Sequence, residues 1–284
     1  MKWLIETSVW QNDDNPKKME NAVTKLGHEA ILYQYVPYKF NKEQILPINH
    51  KTDEPILVYG SIQFIKICQK LTNWIPCAWC NWEDLRCSSY ISKLNHSIHQ
   101  EYAYISLGEF LKDKDRLFKT FGSPNSLYNK DLDLFVKSDT NDKCIAGEKI
   151  SLSMFEDWKS YIFCYEPALN HLLLISKPYK ISSEWRCVVA GDVFITGSQY
   201  RRGGEVEISP DCTGEVIEFV KERAKELKDI SPIFCIDVGQ LDTGELKVIE
   251  IGSFNCAGLY DCNIEAIVNE ASILAIKEFE SYKL

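Results

Sequence analysis

The chain has 284 residues, 45% of them hydrophobic, and a formal charge of −9 because Asp and Glu outnumber Lys and Arg. That is enough apolar material for a sizeable core, in one large domain or two smaller ones. The negative balance excludes a protein that grips nucleic acid by broad phosphate neutralisation, but not ATP, which a few converging cations and a metal can hold.

The N-terminus MKWLIETSVW carries Glu6 inside what would have to be an apolar signal core, and no apolar run approaches membrane length. A soluble cytoplasmic protein is expected. The eleven cysteines are odd in number and scattered from Cys68 to Cys262, a pattern of reduced, buried thiols rather than a disulfide framework. Cys77 and Cys80 form a CxxC with Cys87, His96 and His99 downstream. The second half of that cluster lacks paired-ligand spacing and Trp79 and Trp82 point to packing, so zinc is the lesser reading.

In chain order, Lys2 to Ile5 reads as a strand, and Asn15-Pro16 as a cap followed by proline at the first helical position. Met19, Val23 and Leu26 then lie on one helix face, with Gly27 where a C-terminal cap belongs. Ala30 to Val36 and Pro55 to Tyr59 are strands, and Gly60-Ser61 opens a helix bearing Ile62, Ile65 and Leu71. Alternating β and α favours an open sheet covered by helices. The stretch from Trp74 to Gly108 has no clear period. A charged helix runs from Ser106 to Gly122, and a domain boundary is placed near it, giving domains 1–108 and 109–284.

Asp131 to Lys137 alternates, with Leu132, Leu134 and Val136 on one face and Asp133, Phe135 and Lys137 on the other. A polar loop with Lys143, Gly147 and Lys149 follows, then a helix over 153–162 and an apolar strand, LLLISKP, stopped by Pro178. Glu184 to Val189 and Val193 to Gly197 form a hairpin around Gly191-Asp192. Glu184 and Arg186 share one face of it, Trp185 and Cys187 the other. Val216, Phe219, Val220 and Leu227 mark an amphipathic helix. The chain closes with a helix whose apolar face runs from Ile264 to Phe279.

Before that last helix, Ile233 to Val238 and Leu246 to Ile251 flank a DTG turn. With Thr243 and Gly244 at the tip, antiparallel pairing sets Asp237 opposite Glu250. Opposed like charges destabilise a sheet, so either a divalent cation offsets them or the face is simply solvated. Mg²⁺ suits the first reading, because it takes one or two carboxylates and completes its shell with phosphate oxygens and water. Read only as residues, Lys137 could equally blunt a strand edge, Glu184 and Arg186 form a surface pair, and 200–204 a solvated turn.

Taken in order, Lys137, Lys143, the strand ending in SKP, Glu184-Trp185-Arg186, Asp237, Glu250 and Asn255 resemble the ATP-grasp superfamily. The stretches FVKSDTNDKCIAGE, SEWRCVVAGDVFITGSQYR and VIEIGSFNCAGLYD resemble its R2K clade. The resemblance covers about residues 109–284, and the first hundred are similar to the α/β domain that commonly precedes an ATP-grasp. The fold implied is α/β (α+β): an open-sheet pre-ATP-grasp domain followed by two small subdomains that clamp ATP between them. It implies Lys137 and Lys143 on the α- and β-phosphates, the main chain at Ser176 and Lys177 near adenine, and Glu184 among the nucleotide-site residues. Arg186 would hold the acylphosphate or transferred phosphoryl group, and Arg201 would reach substrate or γ-phosphate from a basic segment. Asp237, Glu250 and Asn255 would bind Mg²⁺. Gly252 stands where the superfamily commonly has asparagine, and Asn255 is the candidate replacement.

The activity implied is an ATP- and Mg²⁺-dependent ligase joining a small-molecule or peptide carboxylate to an amine through an acylphosphate. The alternatives are a phosphotransferase on the same fold and a nucleotide-binding module without chemistry. Loops around Trp158, Tyr200 and Tyr260 would shape the substrate pocket.

Overall fold

A computed structural model describes residues 1–8, 14–36, 46–125, 131–141 and 144–283. Lys143 therefore lies outside the described residues. The elements in chain order are β1 (Lys2–Glu6), α1 (Asn15–Lys25), β2 (Glu29–Tyr33), β3 (Ile56–Tyr59), α2 (Ile62–Leu71), β4 (Pro76–Cys77), α3 (Cys87–Tyr90), β5 (Tyr102–Ser106), α4 (Leu107–Phe121), β6 (Ser123–Pro124) and β7 (Leu132–Ser138). There follow β8 (Glu148–Ser151), α5 (Phe155–Phe163), β9 (Leu172–Ser176), β10 (Ile181–Ala190), β11 (Val193–Arg202), β12 (Glu205–Ser209), α6 (Gly214–Leu227), β13 (Ile233–Leu241), β14 (Leu246–Ser253) and α7 (Ile264–Tyr282).

The chain divides into two compact units: unit 1 holds Met1–Asn81, Ser183–Val238 and Ile251–Leu284, and unit 2 holds Trp82–Ser182 and Gly239–Glu250. Both are discontinuous in sequence, whereas a cut near residue 108 is continuous.

In unit 1 the first four strands form a parallel sheet of order β2-β1-β3-β4. Its central strands read as unbroken apolar runs because both faces are covered, as a parallel sheet requires. Pro16 and Met19 are buried on α1, and Gly27 leaves that helix at φ +77°, the left-handed turn that glycine adopts without steric cost. Trp3, Ile5, Leu57 and Tyr59 share one core with Val188, Ile233, Cys235 and the buried face of α7. The strands β12-β11-β10-β13-β14 make a second sheet. Gly203 and Gly204, at φ +58° and +87°, form the two-residue turn between β11 and β12, so residues 200–202 are strand rather than a flexible segment.

Unit 2 is built on an antiparallel sheet of order β5-β9-β7-β6, with β8 also paired to β7. Residues 102–106, expected to precede the second domain, supply its outer strand through pairs such as Tyr104 with Leu174. Ser106 and Glu109 form a reciprocal capping box at the start of α4. Trp158, expected to shape a substrate pocket, packs instead against Phe110 and Phe155 in the unit 2 core, its indole N–H donating to Glu148 at 2.7 Å. The segment that had no readable period runs beside β14: Ile98 N–H donates to Val248 C=O, and Val248 N–H donates to His96 C=O, each at 2.8 Å.

The β13–β14 hairpin closes on three residues. Leu241 N–H bonds Glu245 C=O at 2.9 Å, Gly244 N–H bonds Leu241 C=O at 2.8 Å, and Gly244 has φ +87°. This is a bulged turn, one residue longer than the two-residue tip expected from the sequence. Direct opposition of Asp237 and Glu250 no longer follows from the turn.

Candidate functional site

Two cation–carboxylate pairs, one in each unit, contain four of the expected site residues. In unit 2 the alternation of β7 sets Lys137 on the face opposite the core residues Leu134 and Val136. Its side chain is only 9% exposed, and its Nζ lies 3.0 Å from Oε1 of Glu250 on β14. An ammonium so nearly dry is stable only beside a counter-charge.

Around this pair, β7 and β9 set Phe135 opposite Ser176 and Lys137 opposite Leu174. Ser176 is fully buried, and its Oγ lies 2.9 Å from Nδ1 of His99. Its main chain lies at the end of β9 between Tyr102 of β5 and Phe135 of β7. The His99 ring packs on Phe135 at 5.1 Å between centroids. Burial, with the nearby Lys137 ammonium adding to it, lowers the His99 pKa to about 3, so the imidazole is neutral. Lys177 donates its N–H to Glu101 C=O at 3.3 Å. Ser138, which ends β7, closes the base of the loop meant to carry Lys143: its N–H donates to Ile145 C=O at 3.0 Å and its Oγ accepts Ile145 N–H at 2.8 Å.

In unit 1, Arg186 on β10 meets Asp237 on β13 side-on. Nε donates to Oδ1 at 2.8 Å and Nη2 to Oδ2 at 2.6 Å, while Nη1 donates to Gly258 C=O at 2.8 Å. The side chains are 15% and 7% exposed. Desolvation alone would lower the Arg186 pKa, but the Asp237 charge and its hydrogen bonds outweigh it and the guanidinium is held firmly protonated. Tyr200 and Tyr260 stack 4.9 Å apart at 10° beside this guanidinium. Burial, chiefly, raises both phenols, so they remain protonated. Tyr200 donates to Glu184 Oε2 at 2.6 Å, and Arg201, almost half exposed, places Nη1 3.8 Å from Glu184 Oε1.

Asn255 has a different setting. Fully buried in the turn after β14, it donates Nδ2–H to Val58 C=O at 2.7 Å, and its Oδ1 accepts from Trp79 N–H at 3.1 Å and Ser253 Oγ at 3.2 Å. Both lone-pair directions of that oxygen are taken, so the amide ties β3 and the segment after β4 to the end of β14. Cys77, Cys80 and Cys87 are buried free thiols. Among the described residues no group of three or more His, Cys, Asp or Glu side chains could hold a metal. A Mg²⁺ site needs no such group, since one or two carboxylates suffice when phosphates and water complete the shell, and the hard oxygen donors of Asp237 in unit 1 and of Glu250 in unit 2 are each of a type that suits that ion. Arg186 balances the buried Asp237, and Lys137 balances Glu250, whose side chain is 29% exposed.

Of the residues expected from the sequence, Lys137 pairs with Glu250, Arg186 pairs with Asp237, and Glu184 meets Arg201. His99, considered in the sequence only for zinc, lies against Ser176, and Gly258 contributes a carbonyl that carries no side-chain signal.

The chain matches the family model described as ATP-grasp domain, R2K clade family 2, over residues 115–269. A search of curated proteins returns no match. Among solved structures it is similar to D-alanyl-alanine synthetase A from Vibrio cholerae, at 8% identity and a TM-score of 0.62, covering 98% of each chain. It is also similar to D-cycloserine synthetase DcsG, at 10% identity and a TM-score of 0.59, covering 97% of this chain and 100% of that one. The ATP-grasp ligase PsnB, solved with a minimal precursor, aligns at 10% identity and a TM-score of 0.55 over 96% and 98% of the two chains. At these identities the likeness speaks for the fold. No helix among the described residues is long and apolar enough to cross a membrane.

Proposed function

Since the chain belongs to the R2K clade of ATP-grasp domain proteins, we propose that it is an ATP- and Mg²⁺-dependent ligase joining a carboxylate to an amine. The observation that carries this reading is the two cation–carboxylate contacts, Lys137 with Glu250 and Arg186 with Asp237, in which both cations are largely buried. Each keeps a cation suited to phosphate and a carboxylate suited to magnesium at a fixed spacing.

Transfer of the γ-phosphoryl group to a carboxylate oxygen releases ADP and leaves an acylphosphate. An amine then attacks the acyl carbon and expels inorganic phosphate. Phosphoryl transfer asks the protein for positioning and neutralisation of charge rather than for a covalent partner. Lys137, with Lys143 from its loop, contacts the α- and β-phosphates as point charges. The main chain at Ser176 and Lys177 takes the adenine edge. Glu184, fixed by Tyr200, lies beside the nucleotide, and Arg201 reaches the γ-phosphate or the acceptor. Arg186 has five N–H groups, of which Asp237 and Gly258 use three; the remainder bind the transferred phosphoryl group in the guanidinium plane. Asp237 and Glu250 would hold Mg²⁺, which supplies Lewis-acid neutralisation of the phosphate oxygens when bound.

The solved structures it resembles include a D-alanyl-alanine synthetase, a D-cycloserine synthetase and an ATP-grasp ligase complexed with a minimal precursor, which supports screening amino acids and peptides together. The test is ADP release with Mg²⁺–ATP against amino acids and peptides, followed by mass spectrometry of the product. A condensed product made by the natural chain and not by Asp237→Asn or Glu250→Gln supports the ligase. A stable phosphorylated product assigns a phosphotransferase instead, and ATP-dependent thermal stabilisation without turnover assigns a binding module.

A further inference from the structure

Arg186 is held at its Nε edge by Asp237 and at Nη1 by Gly258 C=O, but nothing in those contacts decides what its other flank meets. That flank is aromatic. The Arg186 Cζ lies 5.8 Å from the Tyr200 ring centroid and 5.4 Å from that of Tyr260, so it is nearly equidistant from two rings that are parallel to each other. A cation at this range is attracted by the ring electrons, and the attraction grows when water is excluded.

Each tyrosine reaches this place through an irregularity of the backbone. β10 and β11 pair Arg186 with Ser198 and Trp185 with Gln199, but the next pair is Glu184 with Arg201. Tyr200 is left over as the extra residue of a β-bulge, the device by which a strand re-aims one side chain. On the other side Tyr260 has φ +50°, a left-handed conformation uncommon for an aromatic residue and maintained only where the surroundings impose it. Two independent backbone departures therefore converge on one ring stack. Simple filling of an apolar gap would need neither. The Tyr200 hydroxyl adds a bond to Glu184 Oε2 at 2.6 Å, which anchors the tip of its ring.

We propose that the Tyr200–Tyr260 stack is a positioning element for Arg186: it closes one flank of the guanidinium to water and leaves its unused N–H groups open only to an anionic group arriving in the guanidinium plane. The proposal rests on the reading of Arg186 as the residue that binds the transferred phosphoryl group. Neither tyrosine touches the reacting atoms; both act through Arg186.

The test uses full-length ¹⁵N-labelled protein. Arg186→Lys assigns the Arg186 guanidinium signals by their disappearance, and solvent exchange of the Nη protons is then followed in Tyr260→Leu, Tyr200→Leu and Tyr260→Phe. Both leucine variants should speed exchange about tenfold, while Tyr260→Phe, which keeps the ring, should restore the natural rate. Circular dichroism certifies that each variant is folded, and either leucine variant suffices if the other is not. Exchange unchanged in a folded leucine variant would overturn the proposal. With an acceptor from the screen, Tyr260→Leu should lower kcat by up to about 100-fold at unchanged KM for ATP, because a misplaced guanidinium costs rate rather than nucleotide affinity. A rise in KM for ATP alone at unchanged kcat also overturns it. Absence of any acceptor refutes the ligase reading, and the exchange measurement still decides the role of the stack.

Discussion

Removing one member of the Arg186–Asp237 pair strands the other charge where little water reaches it. The side chains are 15% and 7% exposed, so screening takes off little of the interaction. The two charge-assisted bonds, at 2.8 and 2.6 Å, are worth about 1.5–3 kcal/mol each before desolvation is counted. Breaking a buried pair from one side costs about 3–5 kcal/mol. Arg186→Met and Asp237→Leu should each destabilise by that amount, a large part of a total stability of roughly 5–15 kcal/mol. The double variant leaves neither charge stranded, and replacing both partners by apolar side chains is often close to neutral. It still leaves Gly258 C=O without its donor, at about 1–3 kcal/mol. The double variant should therefore be more stable than additivity allows by at least about 3 kcal/mol. Urea denaturation followed by tryptophan fluorescence and far-ultraviolet circular dichroism measures all four proteins. Additivity to within about 0.5 kcal/mol would refute the view that these groups act as a single unit.

Stability should also fall in mild acid on account of His99. Its pKa is about 3 in the folded protein against about 6.5 unfolded, so the unfolded chain binds the extra proton between those values. The stabilisation is complete above about pH 6.5 and is lost as pH drops toward 3, by at most about 1.4 kcal/mol per pH unit. His99→Asn should flatten that limb of a melting-temperature profile, and an unaltered slope counts against the assignment. Lys137→Met should weaken binding of a non-hydrolysable ATP analogue by about tenfold or more, with Lys137→Arg intermediate, by calorimetry; equal dissociation constants would remove Lys137 from the nucleotide site. A Cβ on Gly197 would sit 2.9 Å from Cys212 Sγ and 3.1 Å from Cys187 Sγ, so Gly197→Ala should cost about 1–3 kcal/mol. Adding Cys212→Ala should return part of that in thermal melts, whereas no recovery would place the strain elsewhere.

The sequence by itself determined most of the longer elements outside residues 74–108 and the residue types of the candidate site. Period-two alternation identified β7 and the β10–β11 hairpin, and the Asn-Pro and Gly27 signals bracketed α1. These features are local, set by backbone sterics and side-chain direction within a few residues. Lys137, Glu184, Arg186, Asp237 and Glu250 stood out as candidates because charged residues next to apolar strand positions need a reason to be there.

Tertiary structure alone decided which charge met which. Lys137 and Glu250 are 113 residues apart and Arg186 and Asp237 are 51 apart, and no spacing rule reaches so far. It also decided that Asn255 bonds Val58 C=O and Trp79 N–H, that Trp158 belongs to a core, and that the hairpin tip takes three residues. A buried amide bonds whatever main chain the fold brings to it, and a bulge shifts register without altering the hydrophobic pattern from which register is read.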